Sequence, residues 1–241
     1  MVYIYWLLKR CPNWVRYAFN VWQEVTGQKK SGAFTDLDDE LDFDPEIRLG
    51  AIEEEKEYLD LSSAIPQDQG QTMECVYFAT GHKISSEETT KQRRLITFEG
   101  HNLTKGGIKY PGSFDSRQGD FLDAGLTSII ELGATDTTGK KYQFPDKKRI
   151  NRSEIYSYLK AGQIVLSGVR CLRPLCDVTW FWRANKTGDG HAIAITGYDP
   201  IRKAYRVTNS WSEQWGYQWS GTFFIKEEDL GSLMPSYVFD V

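Results

Sequence analysis

The 241-residue sequence has no apolar run of about 18 or more residues, so it offers no candidate membrane span. It holds four cysteines, Cys11, Cys75, Cys171 and Cys176, and their spacing makes no disulfide framework. That argues against a disulfide-stapled scaffold and favours a reducing compartment or a fold that needs no staples. Positive charge is not in excess: 29 Lys and Arg stand against 33 Asp and Glu, leaving no basic stripe to neutralise phosphates and no expectation of nucleic-acid binding. The opening MVYIYWLLKR lacks a basic n-region and a small-residue cleavage site, so no secretory signal is expected. An intracellular, cytoplasmic setting or assembly into a particle is expected, and a phage or bacterial source would fit it. No phosphate-binding or dinucleotide fingerprint occurs, and no cofactor is expected. His82 and His101 have no partners at metal-ligand spacing, so no metal site is expected either.

What the chain does have is length enough for a real core and eight tryptophans. Residues 1–30 carry Trp6, Leu7, Trp14, Val15, Phe19 and Trp22 at partly helical spacing interrupted at Pro12, which predicts one or two short amphipathic helices. TDLDDELDFDPE (35–46) packs seven acidic residues into a solvated linker. This divides the chain into an N-terminal extension, 1–50, and a main domain, 51–241. The extension is either an inhibitory prosegment or a device that docks the domain onto a larger protein assembly, with Trp6, Trp14 and Trp22 as anchors.

In the main domain, CVYFATGHKI predicts a helix that begins at Cys75. Leu122, Leu126, Ile129 and Ile130 repeat at helical spacing up to a C-capping Gly133. Asn151 and Glu154 form a capping-box pattern before Tyr158 and Leu159. QIVLSGVR, HAIAITGY, AYRVTNSW and GTFFIKEE read as strands. Helices followed by strands predict an α+β domain.

Cys75 is preceded by Gln69 and Gly70 in QDQGQTMEC. A free cysteine is more often buried and inert than reactive. At a helix N-terminus, however, the dipole favours thiolate, and a nearby imidazole makes that thiolate a nucleophile. His191 follows the Gly-rich turn of GDGHAIAITGY, and Asn209 lies eighteen residues on, in VTNSWSEQWG. An Asn carbonyl can hold one imidazole nitrogen and leave the other to face a thiol.

Together, Gln69-Gly70, Cys75 opening a helix, Gly190-His191-Ala192, and Asn209-Ser210-Trp211 with Trp215-Gly216 resemble the papain-like cysteine peptidases. The resemblance runs over roughly the last three quarters of the chain. It implies a two-lobed fold, one lobe helical and the other an antiparallel β-barrel-like sheet, with the cleft between them. It implies that Cys75 is the nucleophile, His191 the base and then acid, Asn209 the orienting group, and Gln69 with the Cys75 N–H the oxyanion hole. Gly119, Asp120, Phe121, Leu122, Ala192, Trp211 and Trp215 would line the substrate cleft, favouring an apolar residue two positions before the scissile bond. Phe121 and Leu122 can equally be packing residues of the following helix.

The chain departs from the family pattern at several positions. Thr72 and Arg117 stand where a disulfide pair is usual, a joint loss consistent with a reducing environment. Glu74 beside the nucleophile would oppose thiolate formation unless it points to solvent. Val76 replaces an aromatic residue. Asp120 replaces the second glycine of a substrate-pairing segment, a contact it could still make through its main chain; the glycines at 106–107 give a competing alignment that leaves the next helix out of register. A peptide or protein substrate is expected. The rival readings are a catalytically quiet papain-like module serving as a structural or binding component, and a Cys–His hydrolase of another kind such as a peptidoglycan amidase.

Overall fold

The computed structural model describes residues 13–26, 33–34, 56–100, 103, 119–172, 174–185 and 187–241. Trp6, Cys11, His101, Arg117, the glycines at 106–107 and the acidic linker lie outside these residues. In chain order the elements are α1 (Asn13–Val25), β1 (Ala33–Phe34), β2 (Leu59–Asp60), α2 (Cys75–Gln92), β3 (Asp120–Phe121) and α3 (Leu122–Leu132). Then follow β4 (Ala134–Thr135), β5 (Lys141–Tyr142), β6 (Lys148–Ile150), α4 (Ile155–Lys160), β7 (Val165–Cys171), β8 (Asp189–Asp199), β9 (Ala204–Thr208), β10 (Thr222–Lys226) and β11 (Ser236–Val238). The helix start at Cys75, the cap at Gly133 and the capping box at Asn151 fall where the sequence places them.

The main sheet runs β10-β9-β8-β7-β11-β6, antiparallel throughout. Its centre is β8, whose side chains alternate between two cores because strand residues point to opposite faces. Ile193 and Ile195 pack into a β-lobe core with Tyr205, Trp215 and Phe223. Ala192 and Ala194 face the other way, into a core with Cys75, Val76, Leu126 and Ile129. Small residues on that face let α2 lie close against the strand. Strand β7 divides likewise, with Val165 and Val169 in the first core and Leu166 in the second. The two sides of one pair of strands are thus the floor of one lobe and the wall of the other.

Helix α2 is buried on nearly every side through its first twelve residues. α3 packs on it at Gly125, where an added Cβ would meet Val76 Cγ1 at 2.6 Å. Each large aliphatic side chain buried at this contact, such as Leu126 and Ile129, contributes about 1.5–3 kcal/mol of transfer free energy. The buried Lys83 ammonium ties α2 to the sheet: it pairs with Glu87 at 2.6 Å and donates to the Ile164 carbonyl, while Glu87 accepts the Ile164 N–H.

Among the described residues before position 50, α1 and β1 both pack against this framework. α1 lies against the β-lobe, where the Tyr17 hydroxyl donates to the Cys176 carbonyl at 3.0 Å and the Tyr17 ring meets Trp180 edge-on. β1 is parallel to β3, with Ala33 opposite Asp120 and Phe34 opposite Phe121, and Ala33 also pairs antiparallel with Gly190 of β8.

Candidate active site

Cys75 opens α2, so its side chain sits at the positive end of the helix dipole. The turn before it is set by Gly70, whose φ of +60° is the left-handed conformation that a side chain disfavours. The Gly70 N–H donates to Asp68 Oδ1 at 2.9 Å, and the Gln69 carbonyl accepts from both the N–H and the hydroxyl of Thr72. The chain therefore doubles back, and Gln69 is buried near the loop that carries Asn209. Its N–H donates to the Ser210 carbonyl at 2.9 Å, its side-chain carbonyl accepts from the Ser210 hydroxyl, and its amide nitrogen donates to the Thr72 carbonyl at 2.7 Å.

On the facing lobe, His191 Nε2 and Asn209 Oδ1 are 2.6 Å apart. The same Asn209 oxygen accepts the Ser210 N–H at 2.8 Å, which fixes the amide as a donor-facing carbonyl and makes Nε2 the protonated nitrogen. Nδ1 of His191 is buried without a hydrogen-bond partner. One residue along β8, the Ala192 N–H donates to Cys75 Sγ at 3.4 Å, so the thiol is held against the strand that carries the histidine. The Trp211 ring lies over the imidazole, 4.9 Å between centroids with a 31° tilt, and shields it from water. Burial pushes His191 down to about 4, with the Asn209 hydrogen bond opposing, so the ring is neutral at pH 7.

The sequence-predicted residues do not all sit at the cleft. Trp215 is almost wholly buried one layer behind Trp211, meeting it edge-on at 5.1 Å, and its indole N–H donates to Glu24 of α1 at 3.2 Å. Leu122 packs into the helical-lobe core, whereas Phe121 remains half-buried at the strand edge. Glu74 does not point to solvent, as a harmless carboxylate beside the thiol would have to; it is 5 % exposed. Its charge and that of Asp120 add to burial in pushing the Tyr77 phenol upward. Asp120 turns its side chain inward, where Oδ2 accepts the Tyr77 hydroxyl at 2.6 Å and Oδ1 accepts the Phe121 N–H. The carboxylate is thereby directed to α2, while the backbone edge of β3 carries Ala33 and Phe34.

Two features had no clear signal in the sequence. One is Glu24, a carboxylate 3 % exposed that accepts from Trp215 Nε1 and, at 2.7 Å, from the Leu175 N–H. The other is His82 on α2, buried with Ser62 Oγ at 3.0 Å and Ser86 Oγ at 3.4 Å. Cys171 and Cys176 are buried and in no disulfide, and burial raises Cys176 well above the usual thiol range, which makes it a poor nucleophile. Among the described residues, no three or more His, Cys, Asp or Glu side chains gather as a metal site would require.

No protein-family model and no curated protein sequence matches this chain. Solved structures do. Xylellain, a cysteine protease from Xylella fastidiosa, superposes with a TM-score of 0.69 at 16 % identity, over 89 % of this chain and 97 % of that one. Digestive procathepsin L 3 from the larval midgut of Tenebrio molitor superposes at 0.64 with 13 % identity, over 79 % and 72 % of the two chains. The ragweed pollen allergen Amb a 11, a cysteine protease in its proform, gives 0.60 at 15 % identity, over 79 % and 66 %. At these identities the likeness is one of fold: the chain has the α+β, two-lobed architecture of the papain-like cysteine proteases.

Proposed function

We propose that this protein is a cysteine endopeptidase whose own N-terminal segment holds it latent. The observation that carries the reading is the His191 imidazole, held through Nε2 by Asn209 and left with a bare Nδ1 on the strand whose next N–H contacts Cys75 Sγ. In the reaction, Nδ1 takes the thiol proton and the sulfur attacks the peptide carbonyl. The resulting oxyanion is stabilised by the Cys75 N–H and a side-chain N–H of Gln69. His191 then passes its proton to the departing amine, leaving a thioester that water hydrolyses with His191 again as base.

Latency draws on β1. Ala33 and Phe34 occupy the backbone edges of Asp120–Phe121 and Gly190, where an extended substrate would add as a strand. A neutral His191 belongs to the same state, since a water-excluded site disfavours a thiolate–imidazolium pair.

The test is intact mass after brief exposure to an epoxysuccinyl peptide probe. It compares the full-length chain with Ala33→Pro/Phe34→Pro, which removes the strand donors, and with Cys75→Ala of each. Faster labelling of the double-Pro variant, lost with Cys75→Ala, supports latency. Equal rates overturn latency alone, and no labelling of a folded double-Pro variant overturns the peptidase. A quiet module is the second reading, and buried Glu74 favours it. If Glu74→Gln leaves the double-Pro variant unlabelled, Glu74 is not what silences the thiol.

A further inference from the structure

Three tyrosines of the β-lobe surround one ammonium group. Tyr156 comes from α4, Tyr198 from the far end of β8 and Tyr205 from β9, and all three are buried. They are packed edge-on, with 5.4 Å between the centroids of Tyr156 and Tyr198 and 5.1 Å between those of Tyr198 and Tyr205. Lys56 Nζ lies 5.4, 5.2 and 5.8 Å from the centroids of Tyr156, Tyr198 and Tyr205. Glu227, the residue after β10, supplies a carboxylate: it pairs with the Lys56 ammonium and accepts the Tyr198 hydroxyl at 2.9 Å. A ring face is the negative side of the aromatic quadrupole. Three of them within about 6 Å of one cation, with a carboxylate beside it, make a cage for an ammonium group.

The occupant is held in a way that allows exchange. The Lys56 and Glu227 side chains are each 32 % exposed, and an ion pair that reaches water holds weakly. The cage also reads the backbone beside the lysine, because the Glu57 N–H donates to the Tyr156 hydroxyl at 2.8 Å. Two residues on, the chain joins β8 as β2, with Leu59 opposite Tyr198. The turn after β10 adds Glu228 and Asp229 to the local negative charge, and three neighbouring cations are already engaged: Lys226 with Glu228, Arg202 with Asp199 and Arg206 with Asp60. The field there favours one more cation. We infer that Tyr156, Tyr198, Tyr205 and Glu227 form a recognition site for a lysine-bearing peptide segment of a partner protein, a site that Lys56 fills in cis and yields by competition. Tyr198 is seven residues beyond His191 on β8, on the order of 23 Å along the strand, so the site is remote from the cleft.

Full-length chains carrying Cys75→Ala, so that no peptide can be consumed, are titrated by calorimetry with three probes. The first is acetyl-Lys-Glu-Tyr-amide, the sequence of residues 56–58. The second is its norleucine counterpart, which keeps the four-carbon stem and loses the ammonium; the third is n-butylammonium. With Lys56→Ala added, the lysine peptide should bind about tenfold more tightly than either other probe. Lys56 in place should weaken that binding about tenfold, as an intramolecular competitor. Glu227→Gln in the Lys56→Ala chain should also weaken it about tenfold. A folded Lys56→Ala chain that does not distinguish lysine from norleucine overturns the inference. Equal binding with and without Lys56 places the peptide elsewhere and overturns it too, and n-butylammonium binding as tightly as the peptide overturns a polypeptide ligand. Where Lys56→Ala does not fold, the chain that keeps Lys56 decides: it must prefer the lysine peptide to the norleucine peptide, and no preference overturns the site. None of these outcomes depends on whether Cys75 is catalytic.

Discussion

The hydroxyl of Tyr77, two residues into α2 from Cys75, donates to the carboxylate of Asp120 at 2.6 Å. The bond joins the helix that presents the thiol to the strand edge that pairs with an extended chain. Burial raises Asp120, and the bonds from Tyr77 and the Phe121 N–H oppose the rise. Without Tyr77 the carboxylate would keep its burial and lose its main donor.

Tyr77→Phe is therefore expected to cost about 1.5–3 kcal/mol of stability, the range for a buried hydrogen bond to a charged group. It should also loosen the edge. In the Ala33→Pro/Phe34→Pro background, labelling of Cys75 by the epoxysuccinyl peptide should saturate at higher probe concentration, with the maximal rate little changed. An equal loss in the maximal rate would place Tyr77 at the thiol rather than at the edge.

Gly125→Ala tests the crossing of α3 on α2. The new methyl would lie 2.6 Å from Val76 Cγ1, and neither helix can recede without disturbing the buried Cys75 turn. Overpacking of this kind costs about 1–3 kcal/mol. Val76→Ala in the same chain should restore part of it, which denaturant midpoints of the single and double variants will show.

Much of the framework was legible because it is local. The helix from Cys75, the Gly133 cap, the Asn151–Glu154 box and strands β7 to β10 each follow from a period or a terminal signal within a few residues. The juxtaposition of His191 with Asn209 was legible through a spaced motif. What escaped was non-local or ran against the usual pattern. Two residues, Ala33 and Phe34, cannot announce pairing with positions 120 and 190. The amphipathic spacing of α1 was visible, but not that its polar side would face the protein, because nothing local says that Trp215 will need Glu24. Trp215 read as a cleft residue for the same reason: a tryptophan six residues after Asn209 looks alike whether it meets substrate or a buried carboxylate.

Acid should weaken the fold over a defined window. Burial holds His82 and His191 at about 4, against 6.5 for a free imidazole. As pH falls below 6.5 the unfolded chain takes up protons at these positions and the folded chain does not. Their stability is thus fully present above 6.5, declines towards pH 4 and levels off below it, at up to about 3 kcal/mol per histidine. His82→Gln should flatten the decline between pH 7 and 5 in urea midpoints by about half of the histidine contribution. A slope unchanged from wild type would mean that His82 titrates normally in the folded chain.

Glu24 offers the last test, because it joins the extension to the aromatic stack over His191. Its carboxylate satisfies the Trp215 indole and the Leu175 N–H, and Trp215 in turn supports Trp211. Glu24→Ala leaves two buried donors without that acceptor, at about 1–3 kcal/mol each. Glu24→Gln keeps one carbonyl oxygen and should cost less. If α1 anchors the β1 strap, Glu24→Ala should raise Cys75 labelling in the full-length chain towards the rate of the Ala33→Pro/Phe34→Pro variant, because seven residues separate Thr26 from Phe34 and a loosened helix lowers the effective concentration of the strand. If instead α1 chiefly buttresses the histidine, the substitution should slow labelling even when the strap is already broken. Measuring Glu24→Ala in both backgrounds separates the two roles.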